Sequence, residues 1–427
     1  MRAFFSLYLT NLFLVGGTGL LTTYLALYMD KQGTATVWIG LLTSFYYVGL
    51  LCGAKLGYYL IKSVGHIRSF AACTAAVTAC VALHGVTDSL WVWLALRLLV
   101  GAAMMCNFMV LESWLNEQAS HEQRGQVFSF YMITSYLGTV MGQMALSQFP
   151  ELGYAPLFLV CFAVAVGIVP IALTRRIHPK PLKPLQIGLY TYVTLIPQSL
   201  TAILFAGIIN GSFYGLAPTF ARQAGFDAQG IATFMSVTIF AGLLAQWPMG
   251  VLSDRVRRSV LLRFNAVILC IIAVVMFMLP LSQFAMLCLT GLFGIVAFTL
   301  YPLCSALANS RVNDEERVGV SSALLMAFGA GAGLGSAMLA QAMNYFGHSA
   351  LYGAIGILAA LMFGLLTLIN LRQKAEQPDH SDFVVSASDM TTSPLAATMD
   401  PRIEETIAQE QLLVVEEDTR DTQRQRG

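Results

Sequence analysis

Two ionisable side chains, Arg97 and Glu112, stand in the otherwise apolar run LALRLLVGAAMMCNFMVLESWL, residues 94–115. On a helix their fifteen-residue separation leaves them about 60° apart around the axis and about 22 Å apart along it. They therefore share a face with Gly101, Met104 and Phe108 but cannot pair with each other. One face with two separated charges is what a water-accessible path through an apolar medium requires. A guanidinium keeps its charge and offers a five-donor fork, which suits an anionic group or a carboxylate that cycles with protons. The alternative is an arginine that snorkels outward or satisfies backbone carbonyls. Glu112, about one turn from the end of the run, can carry a proton if desolvation disfavours its charged form. Lys55, at a similar depth in another apolar run, is a counter-ion for it, unless both snorkel to the interface. Softer candidates for the same path are Asn107, Asn210, Tyr214, Gln246 and Tyr301. Each is equally readable as an interhelical hydrogen bond worth about 0.6 kcal/mol.

Other chemistries find little support. The 8 cysteines fall within apolar runs and form no CxxC pair, and the 6 histidines lack the spacing of a metal site. No P-loop and no nucleophile–base constellation is present. No cofactor, metal or enzymatic activity is expected, and nothing points to nucleic acid.

The elements that must position these residues are membrane helices. The chain is 57% hydrophobic and 11% charged, with a mean hydropathy of +0.68. An ordinary soluble domain is about 25% charged. Runs long enough to span a bilayer occur at 6–28, 39–61, 69–87, 91–115, 125–149, 155–174, 198–221, 230–251, 260–280, 283–308, 318–343 and 349–370. The first is too long for a signal peptide and precedes no small-x-small site. With the N-terminus inside, sixteen lysines and arginines of the membrane part fall on cytoplasmic segments, against Lys31 and Arg222 outside. That asymmetry places both termini in the cytoplasm and requires an even number of spans.

The chain also repeats itself. SHEQRGQVFSFYMITSYLGTVMGQ, from Ser120, and NDEERVGVSSALLMAFGAGAGLGS, from Asn313, align with a shift of 193 residues. Ser120 and Asn313 are capping residues with Gln123 and Glu316 as capping-box partners. Gly138 and Gly142 superpose on Gly331 and Gly335, a G-x-x-x-G in each copy that lets helices approach closely. This divides the chain into a six-helix half at 1–174, a basic, proline-containing linker at 175–197 and a second half at 198–370. The acidic tail, 371–427, is disordered in composition.

The loop GVLSDRVRRSV, 250–260, resembles the G-x-L-x-D-R-x-x-R-[RK] signature of the major facilitator superfamily, with Gly250, Asp254, Arg255 and Arg258 in register. The plain alternative is a positive-inside loop. The resemblance implies that Asp254 docks on the N–H groups opening span five and locks a cytoplasmic gate. In the first half Lys62 stands where the signature has aspartate, which suggests a swapped bridge to the Asp314–Glu316 cluster. Arg97 with Gly101 resembles the R-x-x-x-G of helix four. Together with LESW, YLGTVMGQ and AQWPMGVLSDR, it is similar to the YcaD-like branch of bacterial facilitators. Gln143 follows Gly142 where the family's antiporters carry proline, which argues against drug efflux.

The resemblance implies an all-α membrane protein of twelve helices in two pseudo-symmetric halves, with helices one, four, seven and ten lining the path. It implies a monomeric secondary transporter in the bacterial inner membrane, moving a small solute by alternating access with proton coupling. The rival from another class is a transporter-shaped sensor or scaffold, a role the long tail would serve. A fluorescent reporter active only in the cytoplasm should light up when fused after Lys374 and stay dark after Lys31. The opposite pattern would invert every loop assignment.

Overall fold

A computed structural model describes residues 4–119, 123–172, 192, 194–312, 317–372 and 391–393. Twelve helical spans follow the apolar runs: α1 (Phe5–Lys31), α2 (Thr36–Val64), α3 (His66–His84), α4 (Leu90–Gln118), α5 (Arg124–Leu146) and α6 (Ala155–Val166, resumed at Ile168–Ala172). The second set is α7 (Pro197–Gln223), α8 (Ala228–Arg255), α9 (Arg258–Met278), α10 (Gln283–Ala297, resumed at Leu300–Asn309), α11 (Arg317–Phe346) and α12 (Ala350–Arg372). Ten of these are long and apolar enough to cross a membrane by length and composition. The shorter α6 and the more polar α5, which carries Arg124, Gln126 and Gln143, are both packed against α1.

Local chemistry sets the boundaries. Asp227 caps α8 by accepting from Gly230 N at 2.7 Å, and Ser282 caps α10 by accepting from Ala285 N at 3.3 Å. The turn after α1 passes through Gly33 at φ +71°, a conformation that costs a residue with a Cβ. The expected caps Ser120 and Asn313, and the linker, lie wholly or mainly outside the described residues. Proline acts unequally. Pro218 and Pro248 are accommodated inside α7 and α8, whereas α10 breaks at Phe298–Thr299, just ahead of Pro302. Proline removes an amide donor and crowds the preceding turn. Thr299 Oγ1 donates back to the carbonyls of Ile295 and Val296, 3.0 Å from each, and Asn210 Nδ2 reaches Ala297 O at 3.3 Å. These bonds occupy the carbonyls of Ile295, Val296 and Ala297 at the break.

The repeat read in the sequence becomes a repeat in packing. In the first half α1 pairs with α5, α2 with α4 and α3 with α6; in the second α7 pairs with α11, α8 with α10 and α9 with α12. The halves meet through α2 against α11, α5 against α8, and α1 against α7. Glycine makes the equivalent crossings close. A Cβ on Gly142 would overlap the Gly16 carbonyl of α1, and one on Gly331 would overlap the Leu204 carbonyl of α7. Gly138 and Gly335 sit against backbone in the same two crossings. Large apolar side chains such as Trp91, Phe158, Trp247 and Phe284 point outward, where hydrocarbon solvates them.

Two single-methyl substitutions separate this steric constraint from helix propensity. Gly142→Ala should lower thermal stability by about 1–3 kcal/mol through overpacking. Gly364→Ala, with nothing within 4 Å of the added carbon, should leave it equal or slightly higher. Equal melting of both variants in a fluorescence-detected assay would contradict the close crossing.

Candidate functional site

Gly101 positions Arg97. Because a Cβ there would strike the Tyr46 carbonyl, α4 lies directly on α2, and Arg97, one turn earlier, is delivered into the α1–α2 seam. The side chain is 1% exposed. Its Nη2 donates to Thr22 Oγ1 at 3.1 Å, its Nε contacts Leu42 O at 3.5 Å, and its guanidinium carbon lies 4.6 Å from the Tyr46 ring centroid. Thr22 Oγ1 itself donates to Thr18 O at 3.0 Å, which turns its lone pairs towards the arginine. Arg97 does not snorkel. It takes one backbone carbonyl, a hydroxyl and a π face, and its Nη1 has no hydrogen-bond partner among the described residues.

A cavity opens beside this group, lined by α1, α2, α5 and α7 through Thr22, Thr43, Tyr46, Gln143 and Tyr214, among others. Gln143, in the position where antiporters of the family place proline, accepts from Thr23 Oγ1 at 2.8 Å and so joins α5 to α1. Tyr214 stacks on Phe298 with 5.6 Å between centroids.

Glu112 is fully buried. Tyr131 OH of α5 lies 3.4 Å from Oε1, and Ser393 N donates to Oε1 at 2.8 Å and Oε2 at 3.0 Å. Ser393 Oγ also donates to Oε2. Thr391, Thr392 and Ser393 are all buried, although the whole tail reads from composition as solvated. Tyr131 OH additionally donates to Thr391 O at 3.2 Å, and Thr391 closes one side of the cavity.

The remaining polar candidates divide by role. Asn107 is buried with neither amide atom partnered among the described residues. Gln246 Nε2 bonds Tyr136 OH at 2.6 Å across the α5–α8 seam, an interhelical contact. Tyr301 packs edge-on against Phe328 at 5.4 Å.

Lys55 needs correction. It is exposed and makes no ion pair with Glu112 among the described residues. Gly53 and Gly57 face α4, and a residue two positions from each points about 200° away, towards lipid.

The loop motif is also arranged differently from the expectation. Asp254 pairs with Arg258 at 3.7 Å and is 55% exposed, rather than capping α5. Arg258 is buried and donates to Ala306 O at 3.3 Å in the last turn of α10, where a cation suits the helix dipole. Arg255 and Lys62 are exposed and Gly250 is buried, while Glu316, with the Lys62 bridge proposed for it, lies outside the described residues. At the opposite end of the bundle the halves are tied together. Asp30 Oδ2 lies 3.2 Å from Arg222 Nη1 and Asp30 Oδ1 accepts from Gln223 at 2.7 Å, while Arg222 also donates to Leu27 O at 3.0 Å. The bundle is thus closed at its Asp30 end, and a stretch of tail enters between the helices that carry Tyr131 and Glu112.

A twelve-helix bundle with paired halves, a central cavity and two buried charges on α4 is the architecture of a solute transporter. The chain belongs to the Major Facilitator Superfamily, whose family model matches residues 7–336 and 201–398. It is a multi-pass membrane transporter. In sequence it is 29% identical to the uncharacterized MFS-type transporter YcaD of Escherichia coli (strain K12 / DH10B), over 84% of this chain and 92% of the relative. In structure it is similar to the nucleoside transporter NupG (TM-score 0.74, 14% identity, 88% of this chain and 100% of that one). It is also similar to a bacterial homolog of the human lysosomal transporter Spinster in an inward-facing and occupied conformation (TM-score 0.69, 16% identity, 88% and 99%). At those identities the likeness is one of fold.

If the Asp30–Arg222 tie holds one end shut, Arg222→Ala should open it. A cysteine at Thr43, on the cavity wall, should then react at least about fivefold faster with a membrane-impermeant maleimide applied from that side. An unchanged rate would assign closure to the helix packing between the halves rather than to this ion pair.

Proposed function

We propose that this transporter is a secondary one, moving a small solute with an anionic group by alternating access and coupling it to protons. The observation that carries this reading is the Arg97 guanidinium, wholly buried beside a central cavity with a donor left unpartnered among the described residues. A buried donor left unmade costs about 1–3 kcal/mol, and a solute carboxylate or phosphate would recover that cost. Glu112, about 22 Å further along the same helix, is the proton carrier in this reading. A carboxylate held in a desolvated site changes its charge when its surroundings change. Alternating exposure of the two ends supplies that change.

The positive-inside asymmetry supports placing the Asp30 end outside, both termini in the cytoplasm and the chain in the bacterial inner membrane. The state described is then inward-facing. Docking of Asp254 on α5 belongs to the outward-facing half of the cycle, and the exposed carboxylate is the form released when the cytoplasmic side opens. Asn107, between the two charges on α4, is a further polar contact for solute.

Arg97→Lys keeps the charge and loses the fork, so solute should bind about tenfold more weakly while coupling persists. Glu112→Gln should abolish accumulation driven by a proton gradient yet permit solute exchange down its own gradient. Proteoliposome flux separates the two phenotypes. Gradient-driven accumulation by Glu112→Gln at the wild-type level would exclude Glu112 as the carrier.

A further inference from the structure

Three consecutive residues from beyond the last helix are buried inside the bundle, and their contacts define a ligand. Ser393 presents a backbone N–H and a side-chain hydroxyl to one carboxylate, Glu112, while Tyr131 bridges Glu112 Oε1 and Thr391 O. Two residues earlier, Thr391 lies on the cavity wall with Thr22 and Tyr46, the partners of Arg97. The segment therefore runs from Glu112 to the wall of the cavity beside Arg97.

We propose that Glu112 and Tyr131 form a binding subsite for paired N–H and O–H donors, and that Thr391–Ser393 of this chain's own tail is its tethered occupant, competing with the solute. The competition rests on the reading of this cavity as the solute path; the subsite and its occupant do not.

The chemistry favours this occupant. A desolvated carboxylate needs donors, and bonds to a charged acceptor are among the stronger ones. A serine supplies two of them from one residue when its backbone is extended. Pro394 follows Ser393 in the sequence, and a residue before proline is biased to extended conformations. Reach is no obstacle. From Arg372, where α12 ends, to Thr391 is 19 residues (391 − 372). A chain of that length spans at most about 65 Å. Glu112 lies six residues from the end of α4, about 9 Å along the helix. Because the segment belongs to the same chain, occupying the site is an intramolecular event and a weak contact suffices.

The fit is good at one end and poor at the other, as a displaceable plug requires. Ser393 donates to Glu112, but among the described residues the buried Thr391 hydroxyl and Arg97 Nη1 are both left without hydrogen-bond partners. A solute whose anionic group engages Arg97 makes a contact that the tail does not.

The test uses the full chain in nanodiscs and needs no knowledge of the solute. Hydrogen exchange of the peptide containing Ser393 should be at least about tenfold slower in wild type than in Ser393→Asp, which sets a second carboxylate against Glu112. Ser393→Thr keeps both donors and should remain protected. A cysteine replacing Thr139 on the cavity wall, followed by mass spectrometry of its own peptide, should react with maleimide about tenfold faster when combined with Ser393→Asp. A synthetic peptide of residues 386–398 should slow that labelling again, whereas the same peptide carrying aspartate at 393 should not. Equal exchange in wild type and Ser393→Asp, or labelling indifferent to the synthetic peptide, overturns the proposal. Neither readout depends on transport, so normal accumulation by Glu112→Gln would refute the proton-carrier reading and leave this one intact.

Discussion

A charge taken into an apolar interior must be satisfied there, and the architecture of this bundle follows from how it meets that demand. Arg97 cannot shed its charge, so three elements converge on it: a hydroxyl from α1, a carbonyl and an aromatic face from α2, and the backbone of α4 that carries it. That convergence requires α4 to touch α2 backbone to backbone, which Gly101 permits. The cavity beside the guanidinium is lined by aromatic and aliphatic groups together with hydroxyls and an amide, several of them committed to neighbouring helices. Thr22 is turned by its own bond to Thr18, and Gln143 by its bond to Thr23.

The same demand explains the irregularities of the fold. Where proline breaks α10, the freed backbone is recovered by Thr299 and Asn210 rather than left to lipid. Arg258, the last arginine of the loop motif, is buried so that its charge can serve the carbonyl end of α10. The motif is thereby anchored into its own half, with Asp254 at the surface. Closure at the other end uses an ion pair between the halves, Asp30 with Arg222. Its geometry is specific but its strength is modest, since pairs reached by water contribute little.

Glu112 meets the demand differently. Part of its donor set comes from the chain's own tail, so its satisfaction is conditional on a segment about 280 residues away in sequence. A carboxylate with an exchangeable partner is chemically poised, whereas one locked by a permanent helix contact is inert. This contrast separates the two charges of α4: one held by fixed helices with a donor to spare, the other held partly by something that can leave.

The sequence by itself determined the class of structure. Twelve apolar runs, a 193-residue repeat and glycines four residues apart dictate paired helices in two similar halves, because an apolar span has no alternative to a helix and a missing Cβ has one steric consequence. It also placed Arg97 and Glu112 on one inward face, since periodicity reports direction. Periodicity did not report neighbours. That Lys55 faces lipid, that Asp254 turns to Arg258 and that Gln246 is spent on Tyr136 were decided only when helices remote in sequence came together. The tail shows the limit most clearly. Its composition, rich in acids, serine and threonine, gives no apolar pattern from which burial can be read. Three of its residues are nonetheless inside the bundle, because a buried carboxylate elsewhere in the chain needed their hydrogen-bond donors.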